Sequence, residues 1–321
     1  MLKKTKLWVI TASLLIVLGA ALFTAAMTAY GWDFSMLSTR TYVSQSHEVS
    51  ESFTNLTAYS DTADIRILPS EDGVCRVTCF DHDHVAYEVR VQDGTLEIIP
   101  QYKKQSWIPF IDFSFEIPQI TIMLPEAEYG ALKLETDTGD VTVPNGMRFA
   151  SVEVTTSTGN VSLLASVLGS VKLQATTGDL LVEGVAPTSL ELSTTTGRIT
   201  VKGVTATGEA SVKVSTGDAR LTDMTCKSLT TIGSTGDITL KNVIAEQALS
   251  IERSTGDVIL ERCDAAEILV KTDTGDVKGT LRSSKIFFHK TDTGRVRLPQ
   301  TTEGGRCEII TDTGDIHIEI Q

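Results

Sequence analysis

Residues 132–182 read LKLETDTGDVTVPNGMRFASVEVTTSTGNVSLLASVLGSVKLQATTGDLLV, and one short phrase comes round in them three times. Apolar and polar residues alternate, a Thr-Gly pair follows, and the alternation resumes. Followed along the chain, the pair recurs as Thr138-Gly139, Thr158-Gly159, Thr177-Gly178, Thr196-Gly197, Thr216-Gly217, Thr235-Gly236, Thr255-Gly256, Thr274-Gly275, Thr293-Gly294 and Thr313-Gly314. Successive glycines lie 19 or 20 residues apart. A period near twenty marks a solenoid, in which each repeat contributes one winding to a shared core.

The residues around the glycines describe a winding. Two and four places after them stand Val141 and Val143, Val161 and Leu163, Leu180 and Val182, Ile199 and Val201. Seven and five places before them stand Leu132 and Leu134, Val152 and Val154, Val171 and Leu173, Leu190 and Leu192. Apolar residues at every second position mark a strand with one buried face. Each unit therefore reads as strand, Thr-Gly turn, strand and corner. The glycine supplies a positive φ, and the threonines are expected to stack with their hydroxyls bonded along the column. One unit cannot bury enough apolar surface to offset its chain entropy, so the units must stack. The expectation is an all-β chain: a β-solenoid (β-helix) of about ten rungs over 131–321, roughly 45–50 Å long at ~4.8 Å per rung.

Upstream, residues 51–130 hold strand-like runs and a hairpin signal at Gln92-Asp93-Gly94. Ser60-Asp61-Thr62-Ala63-Asp64-Ile65 is a degenerate copy of the repeat. This stretch reads as the N-terminal β cap that a solenoid needs. Residues 33–50 are polar and read as a tether. Residues 7–32 carry no charge and as a helix would span about 39 Å, enough to cross a ~30 Å hydrocarbon core. A cleaved signal peptide has a shorter apolar region, about 7–15 residues, and a small-x-small site; here the best late candidate, Met27-Thr28-Ala29, places Met at a small position. One uncleaved transmembrane anchor in the lipid bilayer is expected. Lys3, Lys4 and Lys6 would hold residues 1–6 in the cytoplasm and leave the remainder extracytoplasmic.

The net charge is −13, and −16 without those three lysines. Such a surface repels phosphate backbones, which argues against nucleic-acid binding. Five cysteines cannot all pair. Cys75 and Cys79 would lie roughly 13 Å apart along a strand, while Cys226, Cys263 and Cys307 fall in core slots. No nucleophile elbow, zinc-protease motif, phosphate loop or dinucleotide fingerprint is present, and no cofactor is implied.

The segment YKKQSWIPFIDFSFEIP concentrates Tyr102, Trp107, Phe110, Phe113 and Phe115. It reads as a plug for the open end of the core, or as a patch that docks a partner or a membrane surface. The position after each glycine is mostly aspartate, a column that could attract calcium. Arg198 and Arg295 interrupt it, each expected between aspartates on adjacent rungs. Asp273, Asp292 and Asp312, expected to stack two places before the glycine near the C-terminus, are the candidate metal ligands. Thr-x-Thr pairs such as Thr136/Thr138, Thr194/Thr196 and Thr272/Thr274 have the spacing of ice-binding faces, interrupted at Val214, Gly233 and Arg253. His82-Asp83-His84 alternates as metal ligands can but reads as a solvated loop. His289 occupies a nominal core slot near the end of the rod.

The run ITIMLPEAEYGALKLETDTGDVTV (120–143), followed by recurrent TGD units behind an apolar N-terminus, resembles the bacterial "putative adhesin" family of β-strand-repeat envelope proteins. The resemblance covers roughly 50–321. It implies a β-repeat architecture and a surface or envelope role, and carries over no catalytic residue. The reading from sequence is a non-catalytic, membrane-anchored envelope protein whose partner is another envelope protein or a cell-surface ligand. The alternatives are a polysaccharide-active β-helix enzyme and a calcium-stabilised surface rod.

Overall fold

The computed structural model describes residues 2–33, 43–81, 85–102 and 118–321. Leu2–Ala29 is one α-helix. Its part Lys6–Ala29 has a mean hydropathy of 2.3, and by length and composition it can cross a membrane. Thr11, Thr24 and Thr28 donate their hydroxyls to the carbonyls of Leu7, Ala20 and Thr24, so these polar groups are satisfied within the helix itself. Gly31 and Trp32 end it in the left-handed conformation, with Trp32 N–H on the Met27 carbonyl at 2.8 Å.

Most of the other described residues form the expected solenoid. Strands preceding the corners stack in parallel: Glu128–Thr138 on Arg148–Thr158, then Ser170–Thr177, Ser189–Thr196 and Glu209–Thr216. Corresponding repeat positions sit opposite one another, Val152 between Leu132 and Val171. Ala219–Thr235, Ile238–Thr255 and Val258–Thr274 are long strands that bend around the second corner while keeping the ladder. Val204, Met224, Val243 and Cys263 supply a third inward face. One continuous aliphatic core runs from Leu56 to Ile318.

The corners decide how closely windings can stack. Gly197 has φ 149°, and a Cβ there would lie 2.1 Å from the carbonyl oxygen of Gly178. Neighbouring corners repeat that approach, so the position needs glycine for contact as well as for dihedral. The threonine preceding each glycine is exposed and joins the ladder through its backbone, as in Gly159 N–H to the Thr177 carbonyl at 2.9 Å. The hydroxyl bonds come from the threonine three places before the glycine. Thr194 donates to the Gly178 carbonyl at 3.0 Å, Thr311 to Gly275 at 3.2 Å and Thr291 to Gly314 at 3.1 Å. This corrects the expected column of bonded outer threonines. It also removes the ice-binding alternative, because Thr136, Thr194 and Thr272 are buried while Thr138, Thr196 and Thr274 are exposed, so the pairs share no face.

At both ends the spatial order departs from the order in the chain. Asn55–Ser60 and Asp64–Pro69, which flank the degenerate copy, form a complete winding. It lies between the winding of Gly139 on one side and strands Thr95–Tyr102 and Gln119–Leu124 on the other. Antiparallel strands then close the end: Val85–Gln92 on Thr95–Tyr102, Cys75–Asp81 on Gln119–Leu124, and Val43–Val49 on Cys75–Asp81. The hairpin turns at Asp93 (φ 50°) and Gly94 (φ 72°). Residues 43–49, read above as tether, are therefore a strand, held at the sheet's edge by its pairing with Cys75–Asp81 and mostly exposed, as its run of polar residues suits. At the other end the winding of Gly314 inserts between those of Gly275 and Gly294. The first eight corners stack in chain order, and the last two exchange places.

Gly197→Ala is expected to destabilise the chain by about 3 kcal/mol, from backbone strain plus displacement of the neighbouring winding. Urea denaturation of the full chain in detergent, followed by circular dichroism, measures it.

Candidate functional site

The aspartates that follow the glycines are the most regular array of ionisable groups in the molecule, and each is used internally. The N–H of Asn160 donates to Asp140 Oδ1 at 2.7 Å, and that of Asp179 to Asn160 Oδ1 at 2.9 Å. The series continues with Arg198 N–H on Asp179, Asp257 on Asp237, Asp276 on Asp257, Asp315 on Asp276 and Arg295 on Asp315, at 2.7–2.9 Å. Each carboxylate thus caps a backbone donor of the next winding. Arg198 lies between Asp179 and Asp218 as expected. Arg295 does not lie between aspartates. The exchanged order puts it at the end, against Asp315 alone (Nη2–Oδ2 3.0 Å), and makes Asp276 and Asp315 neighbours. Both carboxyls titrate below the usual range. Lys278, 2.6 Å from Asp276, and the Asp315 N–H hold down Asp276; the Arg295 N–H and guanidinium hold down Asp315.

The metal candidates occupy three neighbouring windings in the spatial order Asp273, Asp312, Asp292, and Asp292 pairs with Lys290 at 3.3 Å. Among the described residues no group of three or more His, Cys, Asp or Glu side chains is arranged to hold a metal ion.

Two of the clefts on the outer surface are lined by described residues. One, of about 340 Å³, lies beside the Phe53–Tyr129–Phe149 ring stack and is edged by Glu128, Arg148 and exposed Leu168. The other, of about 460 Å³, runs past Lys213, Ser215, Ser234, Glu252, Lys271 and Asp273 over Gly233. Neither lining contains a histidine or cysteine. Beneath the second, Arg253 is 4% exposed and reaches across two windings to donate to the Val214 carbonyl at 2.9 Å. Gly233 leaves the room it needs: a Cβ there would sit 1.8 Å from its Nη1. Burial pulls the guanidinium's pKa down, against the pull of Asp218 and Asp237. Val214, Gly233 and Arg253, three of the four residues that interrupt the inner threonine column (the fourth is Ala175), are thus one packed unit. Spacing alone could not show this, since the contact joins residues 39 apart.

Other expected residues divide. Tyr102 is 63% exposed and donates to both oxygens of Asp61, at 2.6 and 2.8 Å, which pushes its phenol up to about 12. Trp107, Phe110, Phe113 and Phe115 lie outside the described residues, as do His82, Asp83 and His84. His289 is exposed on the last winding. All five cysteines are unpaired and buried, and burial pushes the Cys79 and Cys307 thiols up to about 12, which makes them poor nucleophiles. Lys285 Nζ forms a buried ion pair with Asp264 Oδ1 at 2.7 Å, and since its position in the repeat is an outward one elsewhere (Lys227 and Thr188 are exposed), spacing gives no sign of the pair.

A family model described as Toastrack DUF4097 matches residues 53–212 and 206–321. Among solved structures, one described as a "putative adhesin" from Parabacteroides merdae ATCC 43184 is 16% identical, with a TM-score of 0.50, covering 75% of this chain and 97% of that one. Another, described as a "putative lipid binding protein" from Parabacteroides distasonis ATCC 8503, is 18% identical, with a TM-score of 0.47, covering 74% and 94%. No curated protein matches.

If the carboxylate column works through hydrogen bonds, Asp237→Ala should cost about 1–2 kcal/mol and Asp237→Asn close to nothing. Thermal melts of the three chains compare them, and neither calcium nor a chelator should move any of the curves.

Proposed function

The chain belongs to the Toastrack DUF4097 family, and from that premise we propose that it is a non-catalytic, membrane-anchored rod of the cell envelope, acting as an adhesin-like or scaffolding surface. The observation that carries this reading is the use of the corner carboxylates. The array that most resembles a binding or catalytic column commits one oxygen of each carboxylate, Oδ1, to the next winding's backbone. Catalysis needs a local cluster of groups with separate roles, whereas these groups repeat one role at each level.

In this reading residues 7–32 anchor the chain in the bilayer, residues 1–6 are cytoplasmic, and 33–42 tether a body made of 43–321. The likeness to a fold described elsewhere as a "putative adhesin" supports a surface role. Tyr102 with Trp107, Phe110, Phe113 and Phe115 is the proposed contact for another envelope protein or a cell-surface ligand. The acidic body disfavours nucleic acid as a partner.

The test uses the full chain with a C-terminal tag. Protease added to intact cells should remove the tag, alkaline carbonate should leave the chain in the membrane, and the tagged bait should recover envelope proteins from solubilised membranes. Replacing 102–115 with Gly/Ser should lower that recovery at least fivefold. A tag protected from protease, or equal recovery by both baits, would overturn the corresponding part of the reading.

A further inference from the structure

The wall that precedes the corners changes character along the rod. On the windings of Gly197 to Gly256 its outward positions are mainly small hydroxyl residues. Ser193, Ser215, Ser234 and Ser254 line the cleft of about 460 Å³, and none of these hydroxyls has a hydrogen-bond partner among the described residues. The cleft crosses five windings, roughly 19 Å from first to last at ~4.8 Å per step.

Its charges are unevenly placed. Lys213 stands opposite Ser193 on one side and Ile232 on the other, so no carboxylate faces it across the ladder. Lys172, Lys202 and Lys241, by contrast, each pair with a glutamate of a neighbouring winding. Glu252, Lys271 and Asp273 lie at the far end. Between the two ends Gly233 is half-buried, where the corresponding Thr194, Val214 and Thr272 are buried, and the Arg253 guanidinium lies against it. That guanidinium carries a buried Nε with no partner. Asp218 and Asp237, whose charges act on it, each commit Oδ1 to the backbone ladder. A desolvated cation without a bonded counter-ion attracts an anion more strongly than one in water.

We propose that this cleft binds a short oligosaccharide carrying one carboxylate. Its acidic unit lies between Lys213 and Gly233, next to the Arg253 guanidinium. Its neutral units follow Ser234 and Ser254 toward Glu252 and Asp273, which accept from sugar hydroxyls. Exposed Ile232 offers a platform for the apolar face of a ring. A single carboxylate matches one unpaired lysine, whereas a polyanion would meet the aspartates of the adjacent corners. The proposal goes beyond the contact assigned to 102–115 and does not depend on it.

Isothermal titration of the full chain in detergent, with sialyllactose and with glucuronyl-xylotriose, should show one saturable site for at least one of them. The methyl ester of that sugar, which lacks only the charge, should bind at least tenfold more weakly, and added salt should weaken the acid but not the ester. Lys213→Glu should weaken the acid at least tenfold. Lys227→Glu, an equal change of net charge at an exposed lysine outside the cleft, should change it less than twofold. Ser234→Trp, on the exposed rim, should abolish binding in a chain that still melts cooperatively. The proposal is overturned by no binding of either acid, an ester that binds as well, equal losses from the two lysine variants, or binding that survives Ser234→Trp. Equal binding of the one-carboxylate peptide acetyl-Gly-Glu-Gly-amide would overturn the choice of a sugar.

Discussion

Neighbouring windings meet at the Thr-Gly corner at a separation that leaves no room for a side chain, and the rest of the rod is spaced from that contact. With Gly159 and Gly178 each facing the preceding glycine's carbonyl within about 2 Å of where a Cβ would stand, the backbones approach to hydrogen-bonding distance along the whole strand. The hydroxyls of Thr194, Thr272, Thr291 and Thr311 reach a glycine carbonyl of the adjacent level, and the corner carboxylates reach an adjacent N–H. Both would be too short to bridge if the corner were wider. The aliphatic core follows, since layers held at sheet spacing leave no gaps between Val, Leu and Ile columns.

The same spacing bears on the acidity of the surface. A column of like charges at one winding's separation should repel, yet the aspartates are retained because each gains a charge-assisted bond to an amide. Asn160 accepts a bond as aspartate does and contributes no charge. Cross-winding pairs such as Lys241 with Glu261 and Lys172 with Glu153 neutralise neighbouring columns, though exposed pairs of this kind add little stability. The outer surface is left regular and largely self-satisfied, which suits a rigid support better than a reaction centre.

The ends are where regularity stops, and the chain handles them differently. At the N-terminal end the parallel ladder is closed by antiparallel strands, which leave the polar, mostly exposed Val43–Val49 at the edge. At the other end no strand direction changes. The chain crosses over itself by one level instead, so that the winding of Gly294 lies outermost. In both cases a complete winding sits one level in from the end, its edges paired on both sides.

How much was legible depended on whether a feature repeats. Gly139 to Gly314 at a fixed interval, with Val and Leu at fixed offsets, determined the solenoid and its core columns; the degenerate copy at Ser60–Ile65 marked a cap and Asp93-Gly94 a hairpin, while packing made Asn55–Pro69 a complete winding. The apolar run at 7–32 determined a helix long enough to span a bilayer. Period-two alternation and turn chemistry are local, so a single chain carries them in full. The hydroxyl role of the inner threonines, the reach of Arg253 to Val214, the Lys285–Asp264 pair and the strand at 43–49 were decided only in three dimensions. So was the exchange that moves Arg295 from between two aspartates to the end of the column. Each depends on which winding lies beside which, and successive windings of equal period fit one another almost equally well. The choice among orders was settled by tertiary packing, which buries Ile309 and Ile316 inside and leaves His289 and Val296 at the surface.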